Sequence, residues 1–427
     1  MSKNQMNTGR LIFDGCDVVE LAKKYGTPLY VMSETHIEER CKEIHEDFLQ
    51  KYPHTRAVFA SKAFQTMEMC RIINREGLGV DVVSGGELYT AKKAGIPMEN
   101  IYFHGNNKTI DEIKMAVDYG VGRVVVDNEY ELEELNKYAG EKHFVMQILY
   151  RITPGVDSHT HKFISTGQLD SKFGISLDKR LRNQYINLAM HMPNIELMGF
   201  HYHVGSQLLE NTSHLAALDI SLNLMKEVKA ELGFETKELN VGGGMGIHYV
   251  DGEVRTNVKD FMGPMMERLN AKCKEYDLLV PQVTMEPGRW IVGEAGITLY
   301  TIGSIKEIPD VRTYVGIDGG MPDNPRPILY EAKYDAVVAN KMDMAKEDTV
   351  TIAGKCCESG DILIWDLKVP KLESGDTLAV MSTGAYNYSM ASNYNRIPRP
   401  AVVMVKDGKD RVIVERETYE DLIAREK

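Results

Sequence analysis

The chain has few cysteines and no excess of basic residues. It holds six cysteines in 427 residues, none in C-x-x-C spacing. This usage argues against a disulfide framework or a zinc ribbon, so we expect a reduced, cytoplasmic protein without a metal site. Lys and Arg number 50 against 62 Asp and Glu, a net charge of −12. Proteins that bind nucleic acid normally carry a basic excess, so we expect no nucleic-acid partner.

Long hydrophobic runs are also missing. No apolar run approaches the roughly 18 residues that a membrane-spanning helix needs, so we expect no membrane segment. Residues 1–6 lack the apolar stretch of a signal peptide. With 43% apolar and 26% charged residues, the composition is that of a soluble globular protein, and the length allows two domains.

Short apolar runs alternate with segments of helical composition through the first two thirds of the chain. Eight runs have the composition of buried strands: 57–60, 80–83, 101–103, 123–126, 144–152, 197–203, 238–241 and 281–285. Strands that alternate with helices pair in parallel through right-handed crossovers. Eight such units predict a (β/α)8 TIM-like barrel, with a doubly wound open sheet as the alternative.

The pattern changes after residue 290. The segments 292–315, 335–337, 349–353, 362–369, 377–381 and 401–405 are short β-rich runs separated by turns. They predict a mostly β domain, and a strand at 28–32 is available to the same sheet. The predicted domains are a barrel over 36–290 and a discontinuous β-sandwich or β-barrel domain formed by 1–35 and 291–427.

Polar residues follow the predicted barrel strands. They are Lys62, Asp81, His104, Asp127, Arg151, His203, the glycines at 242–244 and Glu286. In a barrel these strand ends share one mouth, where active sites form. The alternative is that polar residues follow strands only because loops are polar.

Three of these positions allow a sharper interpretation. Lys62 either extends to water from a strand end or supplies a desolvated amine for a Schiff base with an aldehyde. The glycines at 242–244 form either a tight turn or a phosphate nest. Glu286 either pairs with Arg289 or holds a proton on a heteroaromatic nitrogen. An amine, a phosphate loop and a ring carboxylate together suggest pyridoxal phosphate.

Nine ordered segments carry a family resemblance. They are 59–64, 80–87, 103–108, 201–207, 286–289, 318–321, 324–327, 357–361 and 384–386. Over nearly its whole length the chain resembles the fold type III, alanine-racemase-like pyridoxal-phosphate decarboxylases, and within them the branch that acts on diaminopimelate. The resemblance implies a carboxy-lyase that converts meso-2,6-diaminopimelate to L-lysine and CO2. The alternative is the same fold acting on ornithine, arginine, carboxynorspermidine or a D-amino acid.

The resemblance also implies which residues bind ligands. The implied cofactor-binding residues are Lys62, Asp81, His203, Ser206, Gly242, Gly243, Gly244, Glu286, Gly288, Arg289 and Tyr386. The implied substrate-binding residues are Arg289, Arg326, Tyr330, Glu358 and Tyr386. Arg326 would bind a distal carboxylate and Glu358 a distal amino group. That combination points to diaminopimelate, because ornithine and lysine have no distal carboxylate.

Four residues have implied catalytic roles. Lys62 is expected to be the Schiff-base lysine, and His203 is expected to stack on the pyridine ring. Glu286 is expected to contact the ring nitrogen, and Cys357 to return a proton to the carbanion after CO2 leaves.

The family builds shared sites across a homodimer, so Cys357, Glu358 and Tyr386 are expected to reach the partner's barrel. Two features depart from the family pattern. Phe64 stands where the lysine motif usually has asparagine, and Cys356 precedes Cys357.

Overall fold

The computed structural model describes residues 6–7, 9–156 and 171–427 of the chain. The chain divides into two compact units. The barrel unit comprises Arg40–Gly246 and Arg255–Trp290. The β unit comprises Met1–Glu39, Ile247–Val254 and Ile291–Lys427.

The chain begins with small elements. They are β1 (Met6–Asn7), β2 (Arg10–Phe13), β3 (Cys16–Asp17), α1 (Val18–Tyr25), β4 (Leu29–Ser33) and α2 (Glu34–Ile44). Helix α1 starts where the Asp17 carboxylate accepts the backbone N–H of Val19 at 2.9 Å, and it ends at Gly26, whose φ is 72°.

Eight parallel strands close the barrel. They are β5 (Thr55–Ala60), β6 (Gly79–Val82), β7 (Ile101–Phe103), β8 (Arg123–Val126), β9 (Met146–Arg151), β10 (Ile195–His201), β11 (Glu238–Asn240) and β12 (Gln282–Met285). Each strand pairs with the next one in sequence, and β12 pairs with β5. The closed order excludes an open sheet and confirms the predicted (β/α)8 barrel.

Helices follow the barrel strands. They are α3 (Met67–Arg75), α4 (Gly85–Ala94), α5 (Ile110–Tyr119), α6 (Glu129–Glu141), α7 (Lys179–His191), α8 (Thr212–Leu232), α9 (Val258–Glu275) and α10 (Arg289–Val292). Side chains at Thr66, Ser84, Thr109 and Asn128 cap the first turns of α3 to α6. A capped start satisfies backbone donors that would otherwise have no acceptor, which fixes where each helix leaves its loop.

The barrel interior is filled by side chains, including a polar cluster that involves β11. Glu238 is buried there and accepts hydrogen bonds from Tyr102 Oη at 2.5 Å and Arg123 Nε at 2.7 Å. Val58 and Leu149 belong to an apolar cluster with Tyr102. The barrel therefore has a packed core, and ligands are expected at its mouth rather than along its axis.

The remaining strands form the sheet of the β unit. The elements are β13 (Gly296–Ile308), β14 (Arg312–Ile317), α11 (Arg326–Tyr330), β15 (Ala336–Val338), β16 (Asp348–Ala353), β17 (Ile362–Val369), β18 (Thr377–Val380), β19 (Ala401–Lys406), β20 (Lys409–Val414) and α12 (Tyr419–Ile423). The main strand order is β17-β16-β14-β13-β4-β19-β20, and β18 pairs with β13 and β15. Strand β4 lies between strands from far down the sequence, so this unit is discontinuous in the chain. The predicted second, mostly β domain is confirmed as part of the fold.

The borders of the two units differ from the predicted domain ranges. The first border falls after Glu39 rather than after residue 35, and Ile247–Val254 groups with the β unit. The signal-peptide prediction concerned residues 1–6, of which 1–5 lie outside the described part of the chain. Among the described residues, no helix is both long and apolar enough to cross a membrane.

A buried ion pair links a loop of the barrel unit to a helix of the same unit. Lys108 Nζ lies 2.7 Å from Glu131 Oε1 and also donates to the carbonyl oxygens of Gly105 and Val125. Both side chains are almost fully buried. The pair therefore ties the loop after β7, which carries His104, to helix α6.

We expect Lys108→Met to destabilise the fold by about 3–5 kcal/mol, because it leaves the Glu131 carboxylate buried without its cation. Burial raises the pKa of Glu131, and protonation removes the unpaired charge. The loss should therefore shrink as the pH falls. Urea unfolding at two pH values measures the loss of stability and its dependence on pH.

Lys42→Met, which removes an exposed pair with Glu46, is the control and should change the free energy of unfolding by less than about 1 kcal/mol. An equal loss in both variants would contradict the prediction.

Candidate active site

The barrel places several predicted site residues at the carboxyl ends of its strands. Lys62 follows β5, Asp81 lies near the end of β6, and Glu286 follows β12. Asp81 and Glu286 are buried, whereas the Lys62 side chain is exposed. This exposure fits a lysine that extends to water from a strand end. It also leaves the Lys62 amine accessible to an aldehyde. The Phe64 side chain, at the family's asparagine position, is buried.

The carboxylate of Glu286 is the most heavily contacted of these groups. Asn240 Nδ2 donates to Oε1 at 2.6 Å, and His201 Nε2 lies 3.0 Å from Oε2. His104 Nε2 lies 2.8 Å from Oε1. Burial would raise the pKa of Glu286, but the two histidines outweigh burial and hold this pKa well below its usual value. The barrel mouth therefore contains a fixed negative charge.

Asp81 and His104 form a second interaction beside Glu286. His104 Nε2 lies 3.8 Å from Asp81 Oδ1. Burial raises the pKa of Asp81 to about 7. Burial opposes protonation of His104, but Asp81 and Glu286 outweigh burial and raise its pKa. His104, His201 and Glu286 could together hold a metal ion by geometry, although the sequence predicts none.

The glycines after β11 adopt conformations that other residues rarely tolerate. The φ values of Gly242 and Gly244 are 70° and 119°. A Cβ atom on Gly243 would lie 2.0 Å from the Glu286 carbonyl oxygen, and one on Gly244 would lie 2.4 Å from the Gly205 carbonyl oxygen. The backbone here is packed too closely for side chains, as a phosphate nest requires.

Polar side chains surround this glycine loop. His203 Nδ1 accepts the backbone N–H of Gly243 at 3.3 Å, and His214 Nε2 donates to the Gly243 carbonyl at 2.9 Å. Arg289 Nη2 donates to Ser206 Oγ at 2.9 Å. Burial, together with the positive charge of Lys62, holds the pKa of His203 well below its usual value. The barrel mouth therefore contains the uncharged, planar ring of His203 and the positive charge of Arg289.

Gly288 shows the same close packing near the lysine. A Cβ atom there would lie 3.0 Å from the Cβ of Ala60, two residues before Lys62. The glycine therefore lets the strand-end segments that carry Lys62 and Arg289 approach each other.

The other predicted site residues belong to the β unit. Arg326 is buried, and its Nη1 donates to Tyr334 Oη at 2.6 Å and Tyr249 Oη at 3.0 Å. Its guanidinium also lies 5.1 Å from the Tyr249 ring centre. Within the described residues, no Asp or Glu forms an ion pair with Arg326. A buried cation held by neutral phenols is a strong site for an incoming anion.

The two neighbouring cysteines have different surroundings. Cys356 is partly buried, and burial and Asp361 raise the pKa of its thiol to about 12. Cys357 is exposed, and its backbone N–H donates to Asn395 Oδ1 at 2.8 Å. The Cys356 thiol thus faces an acid of its own unit, whereas the Cys357 thiol is open to an outside ligand.

The last predicted residues also lie in the β unit. Glu358 is exposed, while Tyr330 and Tyr386 are half-buried. Tyr386 has a φ of 64°, which is uncommon for a tyrosine. Local backbone strain of this kind recurs at functional sites.

Sequence reasoning missed five residues that contact predicted site residues of their own unit. They are Asn240, His201, His214, Tyr249 and Tyr334. His201 alone gave a signal, because it lies two positions before His203 at a strand end. The other four are recognisable only from contacts between segments that are distant in sequence.

A family comparison matches most of the barrel. The family model described as "Pyridoxal-dependent decarboxylase, pyridoxal binding domain" matches residues 34–293. This range contains Lys62, the glycine loop and Glu286. The amine, the glycine cradle and the buried carboxylate fit the aldehyde, phosphate and ring nitrogen of pyridoxal phosphate, so the predicted cofactor is confirmed.

Full-length relatives share one name. Diaminopimelate decarboxylase of Bacillus subtilis is 46% identical over 422 residues, which cover 99% of this chain and 96% of that protein. The enzyme of the same name from Staphylococcus aureus is 42% identical and is covered over 99% of both chains.

A solved structure gives the same result. Diaminopimelate decarboxylase from M. jannaschii in complex with L-lysine superposes with a TM-score of 0.93 at 37% identity, covering 99% of this chain and 97% of that one. The chain therefore belongs to the pyridoxal-dependent decarboxylases, in the diaminopimelate decarboxylase family.

Proposed function

We propose that this chain decarboxylates meso-2,6-diaminopimelate to L-lysine and CO2. The observation that carries the proposal is Arg326, a buried cation with two phenol partners. Diaminopimelate retains a second carboxylate far from the reacting carbon, and a guanidinium binds carboxylates in a planar, two-point geometry. Close relatives carry the name of this activity.

The barrel residues have proposed roles around the cofactor. Bound pyridoxal phosphate supplies an aldehyde that captures the substrate amine and a ring that accepts the electron pair of the breaking Cα–carboxylate bond. Lys62 holds the aldehyde carbon until the substrate amine displaces it. Glu286 holds a proton at the ring nitrogen, and His203 stacks on the ring face and excludes water.

The phosphate end is held by backbone and side-chain donors. Gly242, Gly243 and Gly244 form the phosphate-binding loop. The backbone N–H groups of Gly242 and Gly243 already donate to Asn240 Oδ1 and His203 Nδ1, so the Gly244 N–H is the loop donor that we assign to the phosphate. Ser206 Oγ and the Arg289 guanidinium, which already contact each other, add donors, and Gly288 lets the segment that carries Arg289 approach the segment that carries Lys62. Tyr386 contributes a further hydroxyl. Burial raises the pKa of Asp81, and the positive charge of the nearby Lys62 acts in the opposite direction.

The substrate end is held by residues of the β unit. Arg326 and Tyr330 bind the distal carboxylate, and Glu358 binds the distal ammonium group. Arg289 also binds a substrate carboxylate. When CO2 leaves, the Sγ–H of Cys357 transfers its proton to Cα, and the Lys62 amine then displaces the product amine and releases lysine. The exposed Cys357 and Glu358 support sites that are shared across a homodimer, in which these residues and Tyr386 serve the partner's barrel. We also propose that the protein acts in the cytoplasm.

We expect Arg326→Met to lower kcat/KM for meso-diaminopimelate by about 10- to 100-fold, the range that a hydrogen bond to a charged group contributes. Any slow turnover of ornithine or arginine, which lack the distal carboxylate, should not fall. The variant should also fold, because methionine removes an unpaired buried charge. CO2 release from the three amino acids measures this selectivity.

Arg312→Met is the matched control, because Arg312 pairs with Asp366 elsewhere in the β unit. It should leave kcat/KM unchanged. An Arg326→Met protein that is folded and retains full kcat/KM for diaminopimelate would contradict the proposed substrate. Faster turnover of ornithine or arginine by the unaltered protein would indicate another amino acid decarboxylase of this fold.

A further inference from the structure

Each oxygen of the Glu286 carboxylate has the ring nitrogen of a different histidine as a close neighbour. His201 Nε2 faces Oε2 at 3.0 Å, and His104 Nε2 faces Oε1 at 2.8 Å. The two rings stand edge to face with their centres 4.7 Å apart. All three side chains are buried, with 6% or less of their surface exposed. The carboxylate is therefore held from two directions by rings that also fix each other.

The contacts determine where the protons lie. A carboxylate accepts hydrogen bonds, so His201 Nε2, which is hydrogen-bonded to Glu286, carries hydrogen. In His201 the other nitrogen, Nδ1, is buried without a hydrogen-bond partner. Burial lowers the pKa of His201 to about 4. His201 is therefore neutral at physiological pH, with its only ring hydrogen pointed at Oε2.

His104 lies among more charged groups than His201. Asp81, Glu286 and Arg151 all influence its charge. Its Nε2 is closer to Glu286 than to Asp81, at 2.8 Å against 3.8 Å. Within the described residues His104 Nε2 has no hydrogen-bond partner of suitable geometry, so His104 is a close polar neighbour of Oε1 rather than a hydrogen-bond donor to it.

Counting acceptor positions shows what is left for a ligand. A carboxylate offers about four lone-pair positions, two on each oxygen. Asn240 occupies one position on Oε1 and His201 occupies one on Oε2, while His104 Nε2 lies 2.8 Å from Oε1. One position on Oε2 therefore remains, and Oε1 has the His104 ring as a close neighbour. The neighbours of Glu286 therefore favour the approach of a further hydrogen-bond donor to Oε2, at the position that His201 does not occupy.

We propose that His104 and His201 are positioning residues that orient the Glu286 carboxylate so that one Oε2 position faces a protonated heteroaromatic nitrogen. The proposal rests on the proposed role of Glu286 at the cofactor ring. The alternative is that His104 and His201 only fill space in the barrel. A packing role would affect binding of any ring of this shape, whereas a positioning role affects only a ring that has the nitrogen.

The test compares two probes on the full-length chain after removal of the cofactor. One probe is pyridoxal phosphate, and the other is its analogue with carbon in place of the ring nitrogen. Dissociation constants are measured by fluorescence titration for the unaltered protein and for Glu286→Gln, His201→Leu, His201→Gln and His104→Leu. His191→Leu, at an exposed histidine of α7, is the control.

The unaltered protein and the control should bind pyridoxal phosphate more tightly than the analogue. His201→Leu and His104→Leu should each reduce this preference by about 10-fold, the lower end of what outer contacts contribute at metal sites. His201→Gln retains a donor near the Nε2 position and should keep most of the preference. If His201→Leu does not fold, His201→Asn replaces it, because its amide is too short to reach Oε2.

Two results would overturn the inference in different ways. A folded His201→Leu or His104→Leu protein that loses affinity for both probes equally would show a packing role only. An unaltered protein and a Glu286→Gln protein with the same probe preference would instead refute the role proposed for Glu286 and the inference that rests on it.

Discussion

A Lys62→Ala protein is expected to lose the visible absorbance of lysine-linked pyridoxal phosphate and at least about 10⁴-fold of kcat, because Lys62 is the amine that holds the aldehyde carbon of the cofactor. Lys62 is the exposed amine at the end of β5. Absorbance spectra of the protein purified with added cofactor, together with CO2 release, measure the two losses.

Lys93→Ala is the control for this prediction. Lys93 is an exposed lysine of helix α4, and its loss should change neither the spectrum nor the rate. A folded Lys62→Ala protein that keeps the lysine-linked absorbance would remove Lys62 from its role.

A Cys357→Ala protein is expected to bind the cofactor with an unchanged spectrum but to turn over about 10²- to 10⁴-fold more slowly, the range for loss of a general acid. The exposed Cys357 thiol can meet an outside substrate, whereas Cys356 faces Asp361. Single-turnover measurements of lysine formation with meso-diaminopimelate separate this loss from binding.

Cys356→Ala is the matched control and should retain most of the rate. The opposite pattern, a slow Cys356→Ala protein and a fast Cys357→Ala protein, would transfer the acid role to Cys356.

Mixing inactive Lys62→Ala and Cys357→Ala chains tests whether the active sites are shared between the two chains of a dimer. After random exchange about half of the dimers contain one chain of each kind, and one of the two sites in such a dimer has both Lys62 and Cys357. About a quarter of all sites should therefore be active. No recovery after demonstrated exchange would show that the sites are not shared.

Much of the barrel was predictable because its strands are continuous apolar runs. The runs at 101–103 and 123–126 coincide with β7 and β8, and the others differ from the observed strands by one or two residues at one or both ends. Helix α7 is harder to predict from the sequence, because only Arg182, Ile186 and Ala189 of its 13 residues are buried. Such a polar helix has little of the apolar periodicity from which helices are predicted.

The site was predictable only in part. Lys62 and the glycine loop were recognisable because an amine after an apolar strand and three consecutive glycines are unusual in sequence. Asn240 could not be recognised, because its contact with Glu286 exists only once β11 and β12 lie side by side. Tyr249 likewise contacts Arg326 across 77 residues of chain.

The most direct test of the account is the product of the unaltered protein with meso-diaminopimelate, ornithine and arginine offered in parallel. The account predicts lysine and CO2 in equal amounts from meso-diaminopimelate, at a kcat/KM far above that for the other two. Release of CO2 from ornithine or arginine, with no lysine formed from diaminopimelate, would contradict it.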